Sequence, residues 1–252
     1  MNTNRQWLLS KRPQGIVGRD NFEYTETPIP APEEGQVLVR NLFLSFDPTQ
    51  RGWMEDRESY LPPVGLGEPM RAGSIGQVAD SMHPDFAKGD IVQTTGGWQD
   101  FTLSSPNVGP MGLTKVPEGI PPEMMLSVLG VTGLTAYFGL LDLGEPKEGE
   151  TVLVSGAAGA TGSVVGQIAK LKGCRTIGIA GGEKKCAWLT DVAKFDGAID
   201  YKSEDVSERI GALCPNKWDI FFDNVAGPIL EAALNHLNLY SRVVMCGGIA
   251  NY

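Results

Sequence analysis

The sequence predicts an α/β protein in which a doubly wound parallel sheet follows a strand-rich N-terminal domain. Residues 1 to about 120 are rich in Gly and Pro and contain only short extended runs. After that point strands alternate with helical segments, as in βαβ units. A glycine-rich turn joins the first of these strands to its helix. Because 252 residues suffice for two modest domains, we expect one domain at 1–122 and another at 123–252.

Composition argues against several classes of partner. The chain carries 21 Lys and Arg against 30 Asp and Glu, a net charge of −9, whereas a nucleic-acid backbone requires clustered cations. The start MNTNRQWLLSKRP has no long apolar stretch, and no later run reaches the length of a membrane span. We therefore expect a cytoplasmic protein that binds neither nucleic acid nor membranes. The four cysteines are too scattered for a disulfide framework, so we expect mostly buried thiols.

Two extended runs support the strands of the N-terminal domain. Gln36–Phe46 (QVLVRNLFLSF) and Asp90–Thr94 (DIVQT) are separated by breakers such as PIPAPEEG. This texture is typical of a barrel-like or folded sheet. Phe46, Trp53 and Tyr60 are candidates for the apolar wall of a substrate cleft, although aromatic residues in such a domain more often pack in its core.

The segment ETVLVSGAAGATGSVVGQIAKLKGC contains the first motif with a chemical meaning. Thr151–Ser155 is predicted as a buried strand and Ala160–Lys172 as a helix. Compared with the dinucleotide pattern G-x-G-x-x-G, the turn has Ala157, Gly159 and Gly162, so alanine replaces the first glycine. The free N–H groups and positive dipole end of such a helix can bind a pyrophosphate. The motif indicates a Rossmann-type sheet; the alternative is a glycine turn that binds no ligand.

The next predicted strand, Arg175–Ala180, ends where a ribose-binding acid is usual, about 20 residues beyond the glycine turn. The chain instead has Gly181 and Gly182, followed by Glu183 and two lysines that end at Lys185. Without the acid a 2′-phosphate is not repelled, the glycines leave room for it, and a lysine can pair with it. The pattern therefore predicts NADP(H) rather than NAD(H). Two alternatives stay open: the lysines form a solvated first helical turn, or Glu183 takes the role of the acid.

Further strands complete the predicted sheet at Ala198–Tyr201, Asp219–Asn224 and Ser241–Gly248. Ser203 is a candidate N-cap for the helix between the first two, and Pro228 opens the helix before the last. In a doubly wound sheet the ligand lies at the carboxyl ends of the strands. Tyr201, Asn224 and Gly247 are therefore expected at the ligand-binding edge.

Five segments together resemble a known family. LFLSFDPTQRGWM, LGVTGLTAY, SGAAGATGSVVGQIAKLKGC, FDNVAG and MCGGIANY span nearly the whole chain and resemble the zinc-independent medium-chain dehydrogenase/reductase superfamily. Within it they are most similar to the NADP-dependent alkenal/one reductase group of leukotriene B4 dehydrogenase/prostaglandin reductase and curcumin-reductase-like enzymes. The resemblance implies a GroES-like N-terminal domain and a homodimer.

The resemblance also implies roles for individual residues. Lys185 would pair with the 2′-phosphate, with Tyr201 near the same ribose, and the segment that starts at Cys246 would lie under the nicotinamide. Together with Gly181 at the strand end, the expected cofactor-binding residues are Gly159, Ala160, Thr161, Gly162, Lys185, Tyr201, Asn224, Cys246, Gly247, Gly248 and Ile249.

Two departures from the family pattern qualify these roles. Where many relatives have D-P-Y-M-R, with a tyrosine that lines the substrate cleft, this chain has Thr49. Family members also continue beyond Tyr252 through a sixth strand. We therefore expect a C-terminally truncated second domain whose fifth strand is an open edge, with low or no reductase activity. NADPH affinity is expected to persist because the glycine turn and Lys185 lie far from that end.

The expected chemistry requires no metal. The first half of the chain has no Cys and one His, His83, whereas a catalytic zinc needs about three protein ligands. We therefore expect NADPH-dependent hydride transfer to the C=C bond of α,β-unsaturated aldehydes or ketones, with Tyr252 as the catalytic donor to the carbonyl oxygen. The alternative for Tyr252 is a frayed chain end. The alternative functions are a zinc-independent quinone oxidoreductase and an inactive nucleotide-binding fragment.

Overall fold

The computed structural model describes residues 3–106 and 112–251. The chain divides into two compact units, one of which ends at Leu126 while the other comprises Ser127–Asn251. The change in sequence texture lies slightly earlier, between residues 122 and 123. Within the described ranges, no helix has both the length and the apolar character needed to pass through a membrane.

The first unit is built from antiparallel strands. These are β1 (Thr3–Leu9), β2 (Phe22–Pro28), β3 (Val37–Leu44), β4 (Ser74–Ser81), β5 (Ile91–Thr94), β6 (Phe101–Ser104) and β7 (Thr114–Lys115). β1 pairs with β2, and the others form a sheet in the order β6-β3-β4-β5-β7. A short helix, α1 (Thr49–Trp53), follows β3, and 3₁₀ turns lie at Arg19–Asn21 and Pro122–Leu126. The runs predicted as extended are confirmed as β3 and β5, each slightly shorter than expected.

Two apolar clusters stabilise the first unit. The cluster on the sheet contains Val37, Val39, Val78, Phe86, Val92 and Leu113. The other packs Trp53 and Met54, at the end of α1, against Leu9, Val64 and Met70. Burial of these side chains removes their apolar surface from water, which is the main favourable contribution to folding.

The second unit is a parallel sheet covered by helices. Its elements in chain order are α2 (Val131–Phe138), β8 (Thr151–Ser155), α3 (Ala160–Leu171), β9 (Arg175–Ala180), α4 (Glu183–Asp191), β10 (Gly197–Asp200), α5 (Val206–Leu213), β11 (Trp218–Asp223), α6 (Gly227–Leu234) and β12 (Leu237–Met245). The chain continues from α2 into a π-helical segment, Gly139–Gly144, and the last described residues form a 3₁₀ turn, Ile249–Asn251. The strand order is β10-β9-β8-β11-β12. This is the doubly wound order that the sequence predicts, with the switch point between β8 and β11.

The two faces of this sheet have separate cores. Val152 and Val154 of β8 belong to one core, while Leu153 between them belongs to the other. The same division holds in β11, where Phe222 and Phe221 face opposite cores. Because successive side chains of a strand point to opposite faces, a sheet covered on both sides needs continuous apolar strands. This explains why β8 reads as an uninterrupted apolar run.

The helix starts differ in part from those predicted. Ser203 is not an N-cap; α5 is capped by Asp205, whose carboxylate accepts a hydrogen bond from the Glu208 N–H at 2.8 Å. The Ser203 hydroxyl instead donates to Asp200 Oδ2 at 2.9 Å. Pro228 does lie in the first turn of α6, where its missing N–H leaves no helical bond unmade.

The cysteines are less uniformly buried than expected. Cys174 and Cys214 are buried, Cys186 is half-buried and Cys246 is exposed, and all four are free thiols. Burial raises the pKa of Cys214 to about 11. Such thiols are protonated at neutral pH, because desolvation disfavours the thiolate.

Candidate cofactor site

The predicted ligand edge is formed by the segments that follow the parallel strands. Tyr201 directly follows β10, Asn224 follows β11, and Gly247 lies two residues beyond β12. Backbone hydrogen bonds tie these segments together: the Tyr201 N–H donates to Ala180 O at 3.1 Å, and the Gly247 N–H donates to Asp223 O at 3.1 Å. All three residues therefore lie at the carboxyl edge of the sheet, where the sequence analysis expects them, although each lies just beyond its strand.

The turn between β8 and α3 depends on glycines. Gly156 has φ +56°, and its carbonyl accepts a hydrogen bond from the Gly159 N–H at 2.9 Å. A Cβ at Gly162 would lie 2.5 Å from that carbonyl oxygen, so a side chain there would force the turn open. Gly159 is the N-cap of α3, and no side chain caps the helix. The N–H groups of the first turn, residues 160–162, are therefore available to an anion.

The structure explains why alanine replaces the first glycine of the pattern. Ala157 is buried, and its N–H donates to Ile179 O at 3.0 Å. Its methyl group packs over β9, where a Cβ on Gly178 would lie 2.8 Å from it. The small residue at position 178 makes room for the methyl group. The alanine therefore fills a gap in the core and leaves the turn intact.

The end of β9 and the start of α4 form a second part of the edge. A Cβ on Gly181 would lie 2.8 Å from Tyr201 Cε1, so the tyrosine ring occupies the space beside this glycine. The expectation that Gly181 leaves open room is therefore corrected: the room is filled by Tyr201. Gly182 has φ +93° and no atom near its Cβ position, which leaves open space at the start of α4.

The cations at this part of the edge are solvent-exposed. Lys184 and Lys185 lie in the first turn of α4 and are exposed, as is Glu183 beside them. Among residues 3–106 and 112–251, none forms an ion pair with either lysine. An anion at this helix start would meet the positive dipole end together with lysine side chains. The geometry leaves both sequence alternatives, a solvated turn and a role for Glu183, open.

Asp200 fixes the turn before α4, and the sequence reasoning missed it. Its Oδ1 accepts hydrogen bonds from the N–H groups of Gly182 at 2.7 Å and Lys202 at 3.1 Å. These backbone bonds, with a smaller contribution from Ser203, lower the pKa of the Asp200 carboxyl. The carboxylate therefore holds the Gly182 turn in place beside Tyr201. The only signal in the sequence was an Asp one residue before the end of the predicted strand Ala198–Tyr201.

Asn224 belongs to a compact polar network at the end of β11. Its Nδ2 donates to Ser155 O at 2.7 Å, and its N–H donates to Ser155 Oγ at 2.8 Å. The Ser155 hydroxyl in turn donates to Asp223 Oδ1 at 2.6 Å. Asn224 is also close to two glycines of the edge: a Cβ on Gly156 would lie 3.4 Å from Asn224 Cβ, and one on Gly247 would lie 3.0 Å from Asn224 O.

The segment after β12 is placed beside this network. The Cys246 N–H donates to Asp223 O at 2.8 Å, so this N–H is not free for a ligand. Desolvation of the Cys246 thiol, and less strongly the nearby Asp223 charge, raise its pKa even though the residue is exposed overall. Gly248 and Ile249 follow; a Cβ on Gly248 would lie 3.8 Å from Ala226 Cβ, and Ile249 is about half-exposed. Tyr252, the predicted catalytic residue, lies outside the described residues.

The structure therefore brings the predicted cofactor residues together in two groups along one edge. Gly181, Lys185 and Tyr201 lie at the ends of β9 and β10, whereas the glycine turn, Asn224 and the segment from Cys246 lie at the ends of β8, β11 and β12. Neighbouring strands are about 4.8 Å apart, so β10 and β12 are separated by about 19 Å. An extended dinucleotide can span such an edge.

The aromatic residues proposed for a cleft in the first unit have different positions. Trp53 is 5% exposed and belongs to the core, whereas Phe46 and Tyr60 are 75% and 72% exposed. Phe46 lines a cleft of about 520 Å³ together with Trp98, with their ring centroids 5.5 Å apart. The Tyr60 hydroxyl is hydrogen-bonded to Thr49 Oγ1. Only Phe46 and Tyr60 could therefore face a ligand.

The part of the chain that the structure describes contains no group of three or more His, Cys, Asp or Glu residues placed to hold a metal ion. His83, the single histidine of the first half of the sequence, is mostly buried and approaches Asp85 at 4.0 Å. The described residues therefore do not fit a catalytic zinc centre of the usual kind.

Comparison with known proteins agrees with this fold. Residues 5–116 match the family of N-terminal domains of oxidoreductases, and residues 160–252 match a family described as zinc-binding dehydrogenase. The chain is 45% identical to the NADPH-dependent curcumin reductase of Escherichia coli over 99% of this chain and 71% of the relative. It is 36% identical to the NADP-dependent 2-alkenal reductase of Nicotiana tabacum over 99% of this chain and 74% of the relative.

A solved structure is equally similar. The crystal structure of CurA from Vibrio vulnificus in complex with NADPH superposes with a TM-score of 0.89 at 44% identity, covering 95% of this chain and 70% of that one. The parallel sheet with its glycine edge defines a dinucleotide-binding oxidoreductase fold. The chain belongs to the zinc-independent medium-chain dehydrogenase/reductase superfamily, in the alkenal/one reductase group.

Proposed function

We propose that this protein is an NADPH-dependent reductase that transfers a hydride to the C=C bond of α,β-unsaturated aldehydes and ketones. The observation that carries the proposal is the intact glycine edge of the parallel sheet in a chain 45% identical to an NADPH-dependent curcumin reductase. The tobacco relative, a 2-alkenal reductase, supports the same class of substrate. Acidic net charge also favours a small-molecule substrate over a nucleic acid.

The residues of the edge fit NADP(H). The uncapped start of α3, residues 159–162, would hold the pyrophosphate, because a helix N-terminus without a side-chain cap has free N–H donors. Lys185 would pair with the 2′-phosphate beside Tyr201. Asn224 and the segment Cys246–Ile249 would lie at the nicotinamide half. Glycine at positions 162 and 247 lets these turns pack closely, because an added Cβ would lie 2.5 Å from Gly156 O and 3.0 Å from Asn224 O.

When bound, NADPH supplies the hydride for the electrophilic β-carbon of the substrate. Negative charge then develops on the carbonyl oxygen, which requires a hydrogen-bond donor, and the α-carbon gains a proton. We propose Tyr252 as this donor, on the basis of the family resemblance of the segment MCGGIANY. We also infer a homodimer, which size-exclusion chromatography would test, and a GroES-like domain at residues 1–122, which limited proteolysis would test. We further infer that the protein is cytoplasmic.

The proposal is tested by mixing the purified chain with NADPH and following the loss of nicotinamide absorbance. The substrates are a simple enone, a quinone and the saturated ketone that corresponds to the enone. Because these relatives are reductases, we expect oxidation of NADPH with the enone, in place of the low or absent activity expected from the sequence, and none with the saturated ketone. A rate with the quinone alone would replace the proposal by quinone reduction. Tight NADPH binding without turnover of any substrate would leave a nucleotide-binding chain and contradict the enzyme assignment.

A further inference from the structure

We propose that Asp223 and Ser155 are positioning residues that preorganise Asn224 and the start of α6 for the nicotinamide half of the cofactor. This inference rests on the proposed function and deepens it. The three side chains lie at the ends of the adjacent central strands β8 and β11, at the switch point where a doubly wound sheet binds its ligand. The Ser155 hydroxyl and both carboxylate oxygens of Asp223 have hydrogen-bond partners.

Asp223 is a buried carboxylate without a cation. It is fully buried, and no Lys, Arg or His among the described residues forms an ion pair with it. Removing an ionised carboxylate from water is costly unless hydrogen bonds replace the lost hydration. Here three donors do so: the Ser155 hydroxyl at 2.6 Å, the Val225 N–H at 3.0 Å and the Ala226 N–H at 3.1 Å.

These bonds hold an unfavourable backbone conformation. Ala226 has φ +62° and ψ −158°, a region that residues with a Cβ rarely adopt. Its N–H is shared between both carboxylate oxygens of Asp223, at 3.1 Å each. Such strain persists only where the surroundings enforce it. The carboxylate therefore fixes the sharp turn that leads from β11 into α6.

Ser155 connects the Asp223 carboxylate to Asn224 through hydrogen bonds. The serine hydroxyl donates to Asp223 and accepts from the Asn224 N–H, while its backbone carbonyl accepts from Asn224 Nδ2 at 2.7 Å. The backbone and side-chain nitrogens of Asn224 thus both donate hydrogen bonds to Ser155. No described residue donates to Asn224 Oδ1, which remains a fixed acceptor at the edge. A ribose hydroxyl or a carboxamide N–H, both donors, is the matching ligand group.

The arrangement predicts an effect on one half of the cofactor only. Asn224 follows β11, whereas Lys185 and Tyr201 follow β9 and β10. Adenosine 2′,5′-bisphosphate contains the adenosine half of NADPH and lacks the nicotinamide. Loss of the Ser155 hydroxyl should therefore weaken NADPH binding and spare binding of the bisphosphate. A merely structural role would weaken both ligands alike.

The test compares Ser155→Ala, Asn224→Ala and the double variant by titration with each ligand. We expect Ser155→Ala to weaken NADPH binding about fivefold to tenfold, as for the loss of one or two hydrogen bonds, and bisphosphate binding by less than about twofold. The double variant should bind NADPH no more than about twofold more weakly than Asn224→Ala, because Ser155 acts through Asn224. Multiplicative losses, an unchanged NADPH affinity in Ser155→Ala, or equal losses for both ligands would overturn the inference.

Two further measurements keep the inference testable if Ser155→Ala does not fold. Asp223→Asn conserves size and should show the same selective loss of NADPH affinity. In the unsubstituted chain, the amides of Val225 and Ala226 should exchange slowly with solvent before any ligand is added; fast exchange would contradict preorganisation. If the unsubstituted chain binds bisphosphate and NADPH equally, this inference fails while the cofactor site stands. If it binds neither, the proposed function fails.

Discussion

Replacement of Lys185 by alanine is the most direct test of cofactor choice. Lys185 lies in the first turn of α4, exposed and without an ion-pair partner among the described residues. It is therefore free to pair with a 2′-phosphate. NADH differs from NADPH in lacking that phosphate, so the substitution should weaken NADPH binding and leave NADH binding nearly unchanged.

The structure places the expected magnitude at the lower end of the range for charged hydrogen bonds. Such bonds contribute about 1.5–3 kcal/mol, but ion pairs in full contact with solvent contribute about 1 kcal/mol or less. Because Lys185 is exposed, we expect a loss of about 1–1.4 kcal/mol, or about five- to tenfold in Kd. The variant retains the positive end of the α4 dipole, which preserves part of the preference for NADPH over NADH. The loss should shrink as salt is raised, because the charges are screened.

The assay is fluorescence titration with NADPH and with NADH at low and high salt. Lys184→Ala is the matched control, since it removes the same charge from the same turn about 100° round the helix. Equal losses for NADPH and NADH would refute the reasoning, as would a larger effect of Lys184→Ala. Glu183→Ala settles the remaining alternative: loss of NADH binding in that variant would show that Glu183 binds the ribose.

Three further predictions concern the glycine turn, the α4 turn and metals. Gly162→Ala should lower the free energy of unfolding by about 1–3 kcal/mol and abolish tight NADPH binding, because its Cβ would lie 2.5 Å from Gly156 O. Gly159→Ala is the milder control, since the nearest atom to its Cβ lies at 3.1 Å and Gly159 has φ −80°. Equal melting temperatures for the two variants would contradict the prediction. Asp200 has a folded-state pKa below the ordinary 3.8, so its stabilising contribution is present above that pH and is lost as the pH falls through the lowered pKa. Asp200→Asn should therefore be less stable than the unsubstituted chain at neutral pH, with a gap that narrows below pH 3.8 in denaturant titrations; a constant gap would rule out this linkage. Reductase activity should survive dialysis against a chelator, and a loss restored by zinc would overturn the metal-independent assignment.

Much of the fold could be predicted because its signals are local. β8 and β9 begin and end at the predicted residues, and α3 ends one residue early, since apolar runs bounded by glycine turns determine such elements. β12 begins at Leu237 rather than Ser241. Its first residues include Leu237, Leu239 and Tyr240, but these side chains are exposed and do not pack into the core of the sheet. The prediction of Ser203 as an N-cap failed because Asp205, two residues later, competes for the same role.

The site was less predictable because its key contacts are distant in sequence. Ser155 and Asp223 are hydrogen-bonded across 68 residues, and no local pattern signals that bond. The ring of Tyr201 fills the space beside Gly181, which the sequence suggested was open. Glycines and lysines could be placed from spacing alone, whereas the groups that orient them depend on which strands become neighbours. Tyr252 and the role proposed for it stay a prediction.

The bond between Ser155 and Asp223 also has a consequence for how the sheet assembles. Apolar residues point to both faces of β8 and β11, so hydrophobic patterning alone does not prevent one strand from sliding past the other during folding. Polar bonds mark both ends of the pair: the Thr151 N–H donates to Asp219 Oδ2 at 2.8 Å, and the Ser155 hydroxyl donates to Asp223 at 2.6 Å. A slip of one residue would break both bonds and leave the buried Asp223 carboxylate without its serine donor. The hydrogen bond between Ser155 and Asp223 thus contributes both to the strand register and to the order of the ligand edge. A substitution at either residue that is made to alter cofactor affinity would therefore also make misaligned pairing of β8 and β11 during folding more frequent.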